Sequence, residues 1–130
     1  MNFRRYFAII AASLAISSPA AAGDLRQGAK AVIELFTSQG CSSCPKADAM
    51  FDALAKRRDV VALAYHVDYW DYIGWADTFG AKANSDLQRD YADSWGSSRI
   101  FTPQLVVNGA GSVVGSREDE VKTALASATL

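Results

Sequence analysis

The chain has 130 residues, 50% of them apolar and 21% charged, with 14 acidic and 13 basic groups for a net charge of −1. That is one ordinary globular domain. It excludes a disordered or collagen-like chain and the basic footprint of a nucleic-acid binder, and two cysteines are too few for a disulfide-stapled miniprotein.

The first 22 residues separate from the rest. Met1–Arg5 carries two arginines and no acid, Tyr6–Ile16 is a short apolar core, and Ser17-Ser18-Pro19-Ala20-Ala21-Ala22 follows. A basic start, an apolar core of that length and an Ala-x-Ala end describe a secretory signal peptide; an N-terminal helix of the folded domain is the competing reading. Cleavage after Ala22 is expected, leaving residues 23–130 as a periplasmic or secreted domain. There a cysteine pair can persist as a disulfide. No apolar run reaches the roughly 20 residues of a spanning helix.

Ala31–Phe36 is a nearly continuous apolar run interrupted by Glu34, the pattern of a central strand covered on both faces. From Pro45 the spacing turns helical: Ala47, Met50, Phe51, Leu54 and Ala55 share a face, with Met50 expected in the core. Val60–Val67 is a second strand. Residues 68–83 have no clear period, but Tyr69, Trp70, Tyr72 and Trp75 crowd together, either as core beneath a loop or as an exposed apolar shelf. Ser85-x-x-Gln88 has capping-box spacing and predicts a helix from there, with Leu87, Tyr91 and Trp95 four apart. Gln104–Val107 and Ser112–Val114 flank the turn signal Asn108-Gly109. Ser116 then caps a last helix, rich in acids at its start, with Val121, Leu125 and Ala128 inward. The order β-α-β-α-β-β-α predicts an α/β fold, with a parallel β-α-β unit and an antiparallel hairpin in one sheet.

Cys41-Ser42-Ser43-Cys44-Pro45 lies between the first strand and the first helix. Unpaired N–H groups and the positive dipole end favour a thiolate there, and cysteines so placed have pKa values of about 3.5–7.5. Two thiols three residues apart can close a small disulfide and reopen it by exchange. In that reading Cys41 attacks and Cys44 resolves. A zinc half-site lacks ligands, because His66 is the only histidine. A purely structural disulfide, and Cu(I) held by the two thiolates for delivery, remain as alternatives. His66 reads as a structural residue at a strand end, or as one that tunes the thiols or a metal.

The strand, the C-x-x-C opening a helix, and Thr102-Pro103 before a hairpin and final helix together resemble the thioredoxin fold: a four-stranded mixed sheet with flanking helices, over residues 31–128. Glu34–Pro45, Ala64–Tyr72, Thr102-Pro103-Gln104 and Val106–Gly109 are similar to an exported bacterial thioredoxin-like family of unassigned activity. Its members continue well past their final helix, so this chain reads as a short one. The resemblance implies a cis Pro103 against the disulfide and a Thr102 backbone that meets an extended substrate. It also implies a buried carboxylate beside the resolving thiol. Glu34 is the candidate acid/base, although it stands seven rather than six positions before Cys41; a partly exposed acid paired with a lysine is the alternative. The implied activity is thiol–disulfide oxidoreduction without cofactor or metal, on cysteine-containing exported proteins and with a redox partner protein. A non-catalytic peptide-binding domain is the other reading.

Overall fold

The computed structural model describes residues 28–130; the expected signal peptide, residues 1–22, lies outside the described residues. β1 (Ala31–Thr37) is the central strand its sequence predicts, with every residue but Val32 buried. It pairs in parallel with β2 (Val60–His66) and antiparallel with β3 (Gln104–Val107). β4 (Gly111–Val114) runs antiparallel beside β3, so the sheet order is β2-β1-β3-β4. The crossover between the parallel strands contains α1 (Cys44–Leu54); α2 (Lys82–Ser94) precedes β3 and α3 (Glu118–Ala126) follows β4.

Alternation along β1 divides the core. Ile33 and Leu35 pack with Ala47 and Phe51 of α1, Leu105 and Val121 of α3. Met50, Leu125 and Ala128 are only partly buried against this cluster. Phe36 faces the other way, with Val67, Val106, Tyr65, Tyr69, Trp70, Leu87 and Tyr91 of α2 and its C-cap Trp95. The hairpin turns at Asn108 (φ 52°) and Gly109 (φ 66°), a left-handed pair that Asn-Gly tolerates. The Asn108 side chain also accepts the Val32 N–H at 2.7 Å.

Two helix starts differ from expectation. α2 begins at Lys82, so Ser85 and Gln88 lie within it and both are buried. Ser85 Oγ donates to Asp68 Oδ1 (2.6 Å) and accepts the Asp68 N–H (3.1 Å). The Gln88 amide donates to Phe101 O and Gln104 Oε1, both at 2.7 Å, and accepts the Tyr69 hydroxyl at 2.9 Å. Three-residue spacing is one helical turn, so it serves an inward polar stripe as readily as a cap. Likewise α3 starts at Glu118 with Arg117 as N-cap, not at Ser116. Residues 115–117 are held as a turn by Gly115 N–H to Pro103 O and Arg117 N–H to Val114 O. The acids Glu118, Asp119 and Glu120 occupy the first turn as expected.

Candidate redox site

β1 delivers the chain to the site. After Thr37, whose hydroxyl donates to Asp48 Oδ1 of α1 (2.7 Å), Cys41 N–H closes a turn onto Ser38 O and Cys44 N–H one onto Cys41 O. Cys41 and Cys44 form a disulfide, with Cα atoms 5.4 Å apart. α1 starts at Cys44, so Cys41 lies in the turn leading into the helix, while Pro45 occupies the first helical turn, where no N–H is needed. Both residues are buried in this oxidised form, Cys41 at 3% exposure and Cys44 at 0%. Ser43, the N-cap, makes no side-chain capping bond; its hydroxyl lies 3.6 Å from Cys41 Sγ.

Thr102–Pro103 is cis, and Pro103 is fully buried. A Cβ on Gly115 would come 3.3 Å from both Pro103 Cβ and Ala47 Cβ, so the proline lies against the first turns of α1. Trp70 ties the same region from the other side. Its indole N–H donates to Thr102 Oγ1 (2.7 Å), and its Cβ sits 3.1 Å from where a Gly40 Cβ would be. The structure therefore brings Cys41, Cys44, Thr102 and Pro103 into one neighbourhood.

Glu34 is placed elsewhere. Its side chain points to the same face as Phe36 and accepts the Tyr91 hydroxyl of α2. Leu35, six positions before Cys41, is the residue turned toward α1. One residue along a strand reverses the face, so the sheet separates Glu34 from α1. The expected acid/base beside the resolving thiol is thus corrected to a buried carboxylate paired with a tyrosine. Burial, then the hydrogen bond to Glu34 and its nearby charge, push the Tyr91 hydroxyl up to about 12.

His66 ends β2 and is paired with Asp77, a residue for which the sequence carried no signal. The Asp77 side chain is fully buried and accepts from His66 Nδ1–H (2.6 Å), Gln39 N–H (2.7 Å) and Phe79 N–H (2.8 Å). Burial works to raise its pKa, but these hydrogen bonds outweigh it and hold the carboxyl below its ordinary range. Asp77 thereby fastens the 70–80 segment to Gln39, two residues before Cys41. Among the described residues, no cluster of three or more His, Cys, Asp or Glu is arranged to hold a metal ion. Surface hollows of about 430 and 470 Å³ lie between the hairpin turn and α3, and beside Lys46 and the start of α3. Neither is lined by a cysteine, so neither holds a substrate over the disulfide.

A four-stranded mixed sheet between helices, with a Cys-x-x-Cys disulfide where β1 meets α1, defines a thioredoxin-like α/β protein. Residues 32–129 match the family described as protein of unknown function (DUF1223), and the chain belongs to it. A structural-genomics crystal structure of an Agrobacterium tumefaciens protein is similar at 42% identity and a TM-score of 0.72, over 76% of this chain and 45% of that one. The chain thus spans less than half the length of that protein. Thioredoxin f2 of Chlamydomonas reinhardtii shares the fold, with 16% identity and a TM-score of 0.50 over 75% of this chain and 78% of that one. No curated protein matches the sequence significantly.

Proposed function

We propose that this domain is an exported thiol–disulfide oxidoreductase acting on cysteine-containing proteins. The observation that carries the reading is the position of the Cys41–Cys44 disulfide, at the junction of the central strand and α1 in a thioredoxin-like fold. Helix N–H groups stabilise a leaving or attacking thiolate there, and in this reading the Thr102 backbone receives the extended substrate. The basic, apolar and Ala-x-Ala character of residues 1–22 supports export.

The exchange balances without a cofactor. A substrate thiolate attacks Cys41 Sγ, a mixed disulfide forms, and the Cys41–Cys44 bond breaks to release Cys44 as thiolate. A second thiolate of the same substrate then attacks the substrate sulfur of the mixed disulfide, which forms the substrate disulfide and releases Cys41 as thiolate. The substrate loses two electrons and becomes a disulfide; the protein gains them and becomes a dithiol, which a partner disulfide reoxidises. The same steps in reverse reduce a substrate.

Replacing the resolving thiol tests this. Cys44→Ser expressed in its compartment should accumulate mixed disulfides with exported proteins, visible as reducible high-mass bands on non-reducing gels, because Cys41 still attacks a substrate disulfide while the intramolecular attack by Cys44 that resolves the bond is lost. Cys41→Ser and the double variant should not. Absence of adducts specific to Cys44→Ser would defeat the reading.

A further inference from the structure

The 70–80 segment inverts the usual economy of a surface loop. Its polar groups are satisfied internally: Trp75 Nε1–H donates to Gln39 Oε1 (2.9 Å), Asp77 N–H to Asp71 Oδ1 (3.0 Å), and Asp77 takes the three bonds described above. Its large apolar side chains face solvent, with Tyr72 81%, Ile73 52%, Trp75 61% and Phe79 68% exposed. Gly74, at φ 99°, makes the reversal between Ile73 and Trp75. Their exposure removes little water from the fold, so they are not there for the stability of the core. The patch also adjoins the segment that leads into Cys41. Ile73 Cδ1 lies 3.6 Å from the position of a Gly40 Cβ, and Trp75 is bonded to Gln39, so both rest on the two residues that precede Cys41.

We propose that Tyr72, Ile73, Trp75 and Phe79 form a docking surface for polypeptide segments in which large apolar side chains flank the reacting cysteine. This rests on the exchange reading above and names its substrate class. A polypeptide whose sulfur is bonded to Cys41 must lay its neighbouring residues on the adjoining surface. Here that surface is apolar, and Asp71 and Asp77 are the only charged residues among 70–80. The matching occupant is therefore an uncharged apolar segment of the kind a folded protein buries and an unfolded one exposes.

Rates of exchange on three oxidised probes test this with the dithiol form of the protein. The probes are glutathione disulfide, the symmetrical disulfide of Gly-Phe-Cys-Leu-Gly, and that of Gly-Ser-Cys-Ser-Gly; the readout is loss of protein thiols. The natural protein should prefer the apolar peptide over the serine peptide by about tenfold, the effect of desolvating a few apolar groups. In Tyr72→Ser/Ile73→Ser, which retains the Trp75–Gln39 bond, the ratio should fall to about one. Equal rates on the two peptides in the natural protein, or a preference that survives in the variant, overturn the docking surface and leave the exchange reading standing. No reaction with any probe overturns the exchange reading and the docking surface with it.

Discussion

At the scale of single residues, Cys41 and Cys44 share a bond but not an environment. Cys44 begins α1 and is wholly enclosed, whereas Cys41 keeps a small accessible surface and has the Ser43 hydroxyl beside its sulfur. A hydrogen bond to sulfur favours the thiolate. In the reduced protein, limited alkylation near neutral pH followed by peptide mass mapping should therefore find Cys41 labelled about tenfold faster than Cys44. Equal labelling would contradict the assigned roles. Tyr91 makes a different prediction. Its hydroxyl is raised from 10.0 to about 12 in the folded state, so its contribution to stability is complete below pH 10 and is lost as pH rises from 10 to about 12. Tyr91→Phe should cost about 1–2 kcal/mol at neutral pH by removing the partner of Glu34. The difference from the natural protein should shrink across that alkaline window; denaturant unfolding at several pH values measures it.

Between elements, contacts that close the site come from segments distant in the chain. Gly115, just after β4, sits where a Cβ would meet Leu35 Cδ1 at 3.0 Å and both Ala47 Cβ and Pro103 Cβ at 3.3 Å. There is no flexible side-chain end there to give way except Leu35, since Ala47 Cβ and Pro103 Cβ are fixed to their backbones. Gly115→Ala should lower stability by about 1–3 kcal/mol through overpacking and slow exchange by displacing Pro103 from α1. Thermal unfolding and thiol-exchange rates check both. An unchanged melting temperature would show that β4 and α1 do not press on each other at this point. The Gln88 amide works in the opposite sense: it joins α2 to β3 and the 69–70 segment through polar bonds inside the second core. A half-satisfied group in that position would cost more than an apolar one.

For the whole molecule, the sheet order puts β2 at one edge, with Val61 and Leu63 partly exposed, while β1 is covered by helices on both faces. The redox pair rests at the end of that most buried strand. The proposed export belongs to this scale too. Intact-mass analysis of the product recovered from its compartment should begin at Gly23, after removal of Met1–Ala22. Recovery of chain beginning at Met1 from a cytoplasmic fraction would overturn it.

Consecutive residues were enough to locate β1, α1, β3, the Asn108-Gly109 turn and the Cys-x-x-Cys pair, because periodicity, turn chemistry and motif spacing are all written within a few positions. The order of those elements then implied the mixed sheet. Tertiary packing decided the rest. Whether Ser85 and Gln88 cap a helix or line a core depends on Asp68, Phe101 and Gln104, far from them in the chain. Glu34 went to Tyr91 because a strand alternates its faces, and the one-residue offset from Leu35 acquires meaning only once α1 lies on a particular side. The aromatic residues 69–75 divided into both of the roles open to them, Tyr69 and Trp70 inward, Tyr72 and Trp75 outward. Composition carries no direction. The inward pair found polar partners in Gln88 and Thr102 for their half-buried hydroxyl and indole groups, and the outward pair was left on the surface by a loop that Asp77 holds to Gln39.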